Sequence, residues 1–422
     1  MKRIFLLVLL MFSLKALADS PLAITSSFKS LNSRYALGPI NQQSFCYSTN
    51  GVIEGYRTNS LQKIASVTKL LTTFFSSETL DLSKTYKTKI YIYKDKLHIE
   101  GGGDPYFDSD KLLLLFEALN RLGYRTFKHV TFDKDFLFYK IDDRHVDITT
   151  DKVRSRLAEY LNINNLKLLN YIWKENQIVA LKEGIRLSYK IPRIVSSSVN
   201  YSQINPLINE PHSLYIHESK PLYMLLKTMN LESNNLIAQN VFSEASVAKN
   251  FKDLMTEKGI DEESFKIYSG SGLPVMTNPG RLDNLATCNM ILKVISLLPE
   301  SLRRHNLELS DVIAVAGKDN GTIAGRFSFV SQAKGAVLAK TGTLRDTSTL
   351  AGLILSQDVV PFVILNQTLN TDNARKLQDI MVSKIIYDLG ETLPLNYTKV
   401  SGSPWSHTNF LVEQTQNSVS SF

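Results

Sequence analysis

Ala65-Ser66-Val67-Thr68-Lys69-Leu70-Leu71-Thr72-Thr73-Phe74-Phe75 is the stretch from which the rest of the chain is read. Its apolar run reads as a buried helix, and Ser66 falls at the N-terminus of that helix. There the free backbone N–H groups and the macrodipole favour a developing negative charge. Lys69 follows one turn later, on the same helix face as Ser66. A hydroxyl with an amine in reach supplies a nucleophile and a group to take its proton. Read alone, Ser66 is equally an ordinary N-cap serine.

Two more motifs follow in order. Ser233-Asn234-Asn235 falls between a helix expected over 221–229 and another over 236–242, a junction suited to pointing polar groups into a cleft. Lys340-Thr341-Gly342 lies in a strand expected over 337–343, with 350–355 as its antiparallel neighbour. S-x-x-K recurs at 26–29, 60–63, 246–249 and 331–334, but none of these copies opens an apolar helix. S-x-N also recurs, at 30–32, 48–50 and 198–200, whereas Lys-Thr-Gly is unique. Order and setting carry the signal. Together the three motifs resemble the S-x-x-K, S-x-N and K-T-G set of the penicillin-binding proteins and serine β-lactamases.

The chain opens with Met1-Lys2-Arg3, an apolar run over 4–12, and Ala16-Leu17-Ala18 before Asp19. This reads as a signal peptide over 1–18, cleaved after Ala18, and as export of a protein that is not integral to a membrane. The alternative is an uncleaved N-terminal anchor, though the apolar run is short for a bilayer span. The formal net charge of +8 is moderate, and no Lys/Arg block with interleaved aromatics suggests nucleic acid. Cys46 and Cys288 are the only cysteines; they either pair in an oxidising compartment or stay as small buried residues. No C-x-x-C, H-E-x-x-H or histidine cluster suggests a metal, and no cofactor is expected.

Asn50-Gly51 punctuates a hairpin near the N-terminus, and Lys94-Asp95 a second one over 89–100. A helix is expected over 110–122 and β-structure over 126–138, while 142–210 is polar and resists assignment. Helices are expected over 281–298 and 375–389. From residue 399 the chain is rich in Ser, Asn and Gln without periodicity and reads as a loosely ordered tail.

Four further stretches make the resemblance more specific: Gly51-Val52-Ile53 ahead of the Ser66 helix, Gly102-Gly103-Asp104-Pro105, Tyr268-Ser269-Gly270-Ser271-Gly272-Leu273, and Ala316-Gly317-Lys318-Asp319-Asn320-Gly321-Thr322 with Arg326. With the three motifs they resemble the D-alanyl-D-alanine carboxypeptidase/endopeptidase family, the class C low-molecular-mass penicillin-binding proteins. The resemblance implies an α/β fold: a β-lactamase/transpeptidase-like domain, an antiparallel sheet flanked by helices, interrupted by an inserted α+β region. The catalytic domain is expected over 19–86 and 212–398, the insertion over 87–211, and the polar tail over 399–422. The insertion is short for the family. The chain departs from the family pattern in having Ser-Asn-Asn for Ser-Asp-Asn, Tyr268-Ser269 before Gly-Ser-Gly, Ile64 for a frequent proline, and the extra Asn320.

The chemistry so implied is a serine-type D-Ala-D-Ala carboxypeptidase of the cell wall, acting in the periplasm on peptidoglycan peptides and inhibited by β-lactams. Ser66 is the nucleophile, and Lys69, crowded by Lys340, the general base. Ser233 relays a proton to the leaving amine, and Asn235 holds the peptide amide and orients Lys69. Lys340 and Thr341 take the terminal carboxylate. Gly342 lets the substrate lie against the strand edge, and the N–H groups of Ser66 and Thr343 form the oxyanion hole. Asp104, Pro105, Asp319 and Arg326 are read as structural, and Ser271 is left unassigned. Two other readings compete: a β-lactamase on the same scaffold, for which no deacylating base is identified, and a non-catalytic cell-wall-binding protein, which has no reason to keep both Ser66 and Lys69.

Overall fold

The computed structural model describes residues 21–139, 149–182, 184–278, 280–397 and 409–413. The signal peptide expected over 1–18, with its cleavage after Ala18, lies outside these residues.

In chain order, helix α1 (Pro21–Arg34) precedes the antiparallel hairpin β1 (Gln43–Thr49) and β2 (Val52–Tyr56), turned at Asn50-Gly51. Short β3 (Gln62–Lys63) leads through a 3-10 turn (Ala65–Val67) into α2 (Thr68–Thr79). Then come β4 (Lys87–Tyr93), β5 (Lys96–Glu100), α3 (Ser109–Arg121), β6 (Thr126–Phe132), α4 (Thr150–Tyr160), α5 (Leu166–Lys182), β7 (Val195–Tyr201) and β8 (Ser213–Glu218). Helices α6 (Leu222–Glu232), α7 (Asn235–Ala248) and α8 (Phe251–Glu257) follow. Short strands β9 (Phe265–Lys266), β10 (Val275–Met276), β11 (Arg281–Leu282) and β12 (Leu285–Ala286) precede α9 (Cys288–Arg303). The chain closes with β13 (Val337–Leu344), β14 (Thr347–Leu355), β15 (Val359–Gln367), α10 (Thr371–Leu389) and β16 (Asn409–Glu413).

Two expectations change at this level. The helix expected from residue 281 begins at Cys288, because Thr287 caps it: its hydroxyl accepts from Met290 N. Residues 281–282 and 285–286 form the short strands β11 and β12 instead. Part of the expected tail, β16, adds to the edge of β8.

The described residues fall into two compact units. The first lies within Met1–Glu78, Asn230–Ser233 and Ser246–Thr398; the second lies within Thr79–Met229, Asn234–Ala245 and Lys399–Phe422. The second unit is thus wider than the insertion expected over 87–211. It takes in β8, which pairs with β4, and β16, which pairs with β8.

The first unit is built on the antiparallel sheet β13-β14-β15-β1-β2. Side chains alternate across it. Phe45, Tyr47, Phe362 and Ile364 face α1 and α10, burying Phe28, Leu377, Met381 and Ile385. On the other face α9 packs against β1 and β15, and Cys46 forms a disulfide with Cys288. Of the two fates the sequence left open for these cysteines, the structure takes pairing. The second unit has a mixed sheet in the order β16-β8-β4-β5-β6-β7. There β6 runs parallel to both β5 and β7. Parallel neighbours need crossovers, and α3 and the α4–α5 pair supply them. Its core joins Ile90, Leu97, Ile99, Leu112, Phe116, Phe132 and Trp173.

Candidate active site

Ser66 sits inside the 3-10 turn that opens α2, directly after Ala65, whose φ of +46° is in the left-handed region. A non-glycine residue held there marks a turn that its surroundings over-determine. One turn on, Lys69 places Nζ 3.1 Å from Ser66 Oγ. Lys69 is fully buried, and Nζ also donates to the Ser271 carbonyl at 2.7 Å. Burial pushes its pKa well below the ordinary lysine value, and the charge of Lys340 pushes it further.

Lys340 lies on β13, the edge strand of its sheet. It too is buried, which lowers its pKa to about 7, and its Nζ donates to the Thr341 carbonyl at 2.8 Å. The outer edge of β13 is partly covered: Ala316 N donates to Val337 O and Ala339 N to Ala314 O. In an antiparallel strand the N–H and C=O of one residue point the same way and alternate along the chain. Thr341 and Thr343 therefore turn their backbone groups outward, as Val337 and Ala339 do. Among the described residues no backbone group pairs with that edge at Thr341 or Thr343. An extended peptide can add there as a further strand.

Gly342 pairs with Thr349 of β14. A Cβ on Gly342 would lie 2.2 Å from Thr349 Oγ1 and 2.9 Å from both Ile64 O and Ser66 N. That space is already filled by Thr349 and the turn that carries Ser66.

The Ser269–Leu273 loop is pressed onto α2. Thr72 Oγ1 donates to Gly270 O at 2.7 Å, and a Cβ on Gly272 (φ +81°) would strike Ala65 O. Ser271, unassigned from sequence, contributes its carbonyl to Lys69. Asn284 anchors this loop. Its Oδ1 accepts from Tyr268 N and Ser269 N, and its Nδ2 donates to Ser269 O and Thr68 Oγ1.

Ser233 follows α6 with φ +59°. Asn230, also fully buried, ties this segment to α2, since its Nδ2 donates to Thr73 Oγ1 at 3.0 Å and to Val312 O at 2.8 Å. Gly321 (φ +93°) leaves room for Leu231 O, which accepts from Thr322 N. Asp319 accepts from Val315 N and from the Tyr397 hydroxyl, so it braces the segment that covers the β13 edge. Arg326 donates to Asp379 on α10. Ser66, Lys69, Ser233, Lys340, Thr341, Gly342 and Thr343 all belong to the first unit, whereas Asn235 opens α7 and belongs to the second. Sequence reading missed Asn230, Asn284 and Thr349, since a lone Asn or Thr far from a motif carries no signal of its own.

The D-Ala-D-Ala carboxypeptidase 3 (S13) family model matches residues 193–385. Among curated proteins, the chain is 32% identical to the D-alanyl-D-alanine carboxypeptidase DacB of Haemophilus influenzae over 154 residues, 33% of this chain and 29% of that protein. It is 26% identical to the carboxypeptidase DacB of Mycolicibacterium smegmatis over 165 residues, 35% of this chain and 34% of that protein. The matched stretch thus spans about a third of the length of these curated relatives. Among solved structures, the penicillin G-acylated Bd3459 predatory endopeptidase of Bdellovibrio bacteriovorus, in complex with immunity protein Bd3460, superposes with a TM-score of 0.75. That alignment covers 88% of this chain and 99% of that one at 25% identity. Penicillin-binding protein 4 of Haemophilus influenzae shares the fold at a TM-score of 0.55 and 18% identity, covering 87% of this chain and 99% of that one. In its motif order, its mixed α/β architecture and the model match over residues 193–385, the chain is similar to the D-Ala-D-Ala carboxypeptidase 3 (S13) family.

Proposed function

We propose that this protein is a serine-type D-Ala-D-Ala carboxypeptidase/endopeptidase that cleaves peptidoglycan stem peptides through an acyl-enzyme on Ser66 and is inhibited by β-lactams. The observation that carries the reading is the 3.1 Å contact between Ser66 Oγ and the fully buried Lys69 Nζ. A lysine with its pKa held down reaches its free-base form at lower pH than an ordinary lysine, and as the free base it takes the Ser66 proton as Oγ attacks the peptide carbonyl. The new C–O bond turns that carbonyl into an oxyanion, to which the N–H groups of Ser66 and Thr343 donate. Collapse breaks the C–N bond, and the proton passes through Ser233 to the leaving amine. Lys340, when protonated, and Thr341 hold the terminal carboxylate, while Asn235 keeps the role expected of it, holding the substrate amide. Water then attacks the ester, and Ser66 regains its proton. The acylation of the Bdellovibrio endopeptidase by penicillin G supports the same first step here.

The protein would work after export to the periplasm, with its leader removed after Ala18. The Cys46–Cys288 disulfide suits an oxidising compartment. Among the described residues, no helix is long and apolar enough to cross a membrane.

Intact-mass spectrometry of the mature protein with benzylpenicillin, beside Ser66→Ala, tests the reading. The expected result is one penicillin mass added to the wild type and none to the variant, with D-alanine released from a D-Ala-D-Ala peptide by the wild type alone. Penicillin consumed without an adduct would point to a β-lactamase, and penicillin left intact without an adduct to a silent binding module.

A further inference from the structure

The carbonyls of Lys63, Ile64 and Ala65 and the N–H of Ile64 are each held by a group outside the 3-10 turn. Gln367 Nε2 donates to Lys63 O at 3.1 Å, and Asn284 O accepts from Ile64 N at 3.2 Å. Ile64 O accepts from Val67 N at 3.1 Å and from Thr349 Oγ1 at 3.0 Å. Ala65 O accepts from Thr68 Oγ1 at 2.7 Å, and Thr68 Oγ1 in turn accepts from Asn284 Nδ2 at 3.1 Å. The two peptide planes flanking Ala65 are thus gripped separately, one from β14 and one from within α2. Such grip is needed because a left-handed alanine costs about 1–2 kcal/mol relative to its ordinary conformations.

We propose that Thr349 is a positioning residue for acylation: its hydroxyl, reaching over Gly342 to Ile64 O, fixes the peptide before Ala65 and so aims the Ser66 N–H at the forming oxyanion. Two observations converge on this. Thr349 is 1% exposed, so its hydroxyl is committed to the interior, and the Ile64 carbonyl is its hydrogen-bond acceptor there. Its register partner is the one position of the Lys-Thr-Gly motif without a side chain, and the volume left free is the volume this hydroxyl crosses. Glycine at 342 and threonine at 349 are two halves of one device. Thr349 itself touches no reacting atom; it acts through the Ile64–Ser66 backbone. An oxyanion donor that drifts by a fraction of an ångström loses much of its effect on the transition state and little of its effect on ground-state binding.

The inference rests on the reading of Ser66 as the nucleophile, and the test separates the two. Thr349→Val keeps the shape and removes the donor; Thr349→Ser keeps the donor. For each, the non-covalent binding constant of benzylpenicillin and the limiting rate of Ser66 acylation are measured by quenched intact-mass kinetics, with near-UV circular dichroism to establish folding. The expected result is a limiting rate roughly 10- to 100-fold lower in Thr349→Val, binding within about twofold, and recovery in Thr349→Ser to within about threefold of wild type. A folded Thr349→Val that is acylated as fast as wild type overturns the proposal, as does a loss shared equally by the valine and serine variants. If valine does not fold, Thr349→Ala against Thr349→Ser makes the same comparison. A wild type that is never acylated on Ser66 overturns the underlying reading instead, and this inference with it.

Discussion

Lys69 Nζ donates to the backbone carbonyl of Ser271 at 2.7 Å while standing 3.1 Å from Ser66 Oγ. The carbonyl anchors the amine within reach of Oγ, and in the neutral form the nitrogen can accept the Ser66 hydroxyl proton. Because burial and Lys340 lower the pKa of Lys69, the active free base appears as pH rises through that lowered value. Acylation by benzylpenicillin should therefore climb with pH and level off well below 10.5, the ordinary lysine value. Lys69→Met should lose roughly 10²–10⁴-fold in acylation rate at every pH and show no such climb. A pH–rate profile of acylation, taken by quenched mass spectrometry, checks both statements.

Lys340 should impose the opposite slope on binding. Its pKa of about 7 means that the free protein loses this charge as pH passes through neutrality, and with it the attraction for a carboxylate. The dissociation constant of a carboxylate-bearing ligand should rise above pH 7 and be flat below it. In Lys340→Arg the side chain stays charged, so the rise should disappear even if binding is weaker overall. Isothermal titration of a slowly reacting β-lactam against Ser66→Ala, repeated across pH, reads the binding term without the chemistry.

Gly342→Ala should be more damaging than the size of a methyl group suggests. The added Cβ would sit 2.2 Å from Thr349 Oγ1 and 2.9 Å from Ser66 N, so either β13 or the nucleophile turn must move. Overpacking of this kind costs about 1–3 kcal/mol of stability, and the displaced donor costs rate as well. Urea unfolding together with acylation kinetics should show both losses in one variant. If stability falls and acylation does not, β13 has moved and the turn has not.

The buried pair Asp104–Lys111 in the second unit offers a test that leaves Ser66 untouched. Nζ and Oδ2 stand 2.8 Å apart, with the side chains 0% and 1% exposed. Asp104 also accepts from Tyr106 N, which fixes the turn that follows the glycines. Asp104→Asn removes the carboxylate that pairs with the Lys111 ammonium and leaves Asp108 as the buried carboxyl that still feels its charge, so the cost should reach at most about 3–5 kcal/mol. Adding Lys111→Met should recover much of that loss, and unfolding curves of the two single variants and the double variant measure the coupling.

What could be read in the chain was what local physics decides. Asn50-Gly51 and Lys94-Asp95 are turn signals that need no distant partner, and both hairpins form as their residues direct. Three motifs in order carried Ser66, the buried lysines Lys69 and Lys340, and the edge strand β13. What stayed hidden depends on long-range placement. Helix α4 was obscured because only a narrow face of it is buried and the rest is polar, and α5 because exposed Leu166, Tyr171, Ile178, Val179 and Leu181 blur its buried stripe. Strand β16 forms only because β8 offers an edge some two hundred residues earlier. Asn284 and Thr349 support the turn at Ser66 from positions whose identity means nothing until the sheet brings them there. The crowding at Gly342 is hidden for the same reason: it exists only once β14 and the Ser66 turn are in place.

Cys46 and Cys288 close the last of these long-range relationships. The disulfide joins β1 to α9 across a sequence separation of 242 residues, and both sulfurs lie in the core. In the chain-entropy account a loop this long restrains the unfolded chain strongly, and loss of a native disulfide costs on the order of 2–5 kcal/mol. Neither cysteine touches Ser66, Lys69 or β13 in the contacts described above, so the loss should fall on stability and not on chemistry. Cys46→Ala with Cys288→Ala should unfold at markedly lower urea, yet be acylated at the wild-type rate under conditions where it remains folded. Wild-type protein should show the same shift in dithiothreitol only after transient unfolding exposes the bond, because a buried disulfide is closed to thiolate attack. A reduced midpoint equal to the oxidised one would mean that the sheet and α9 hold each other without the covalent tie.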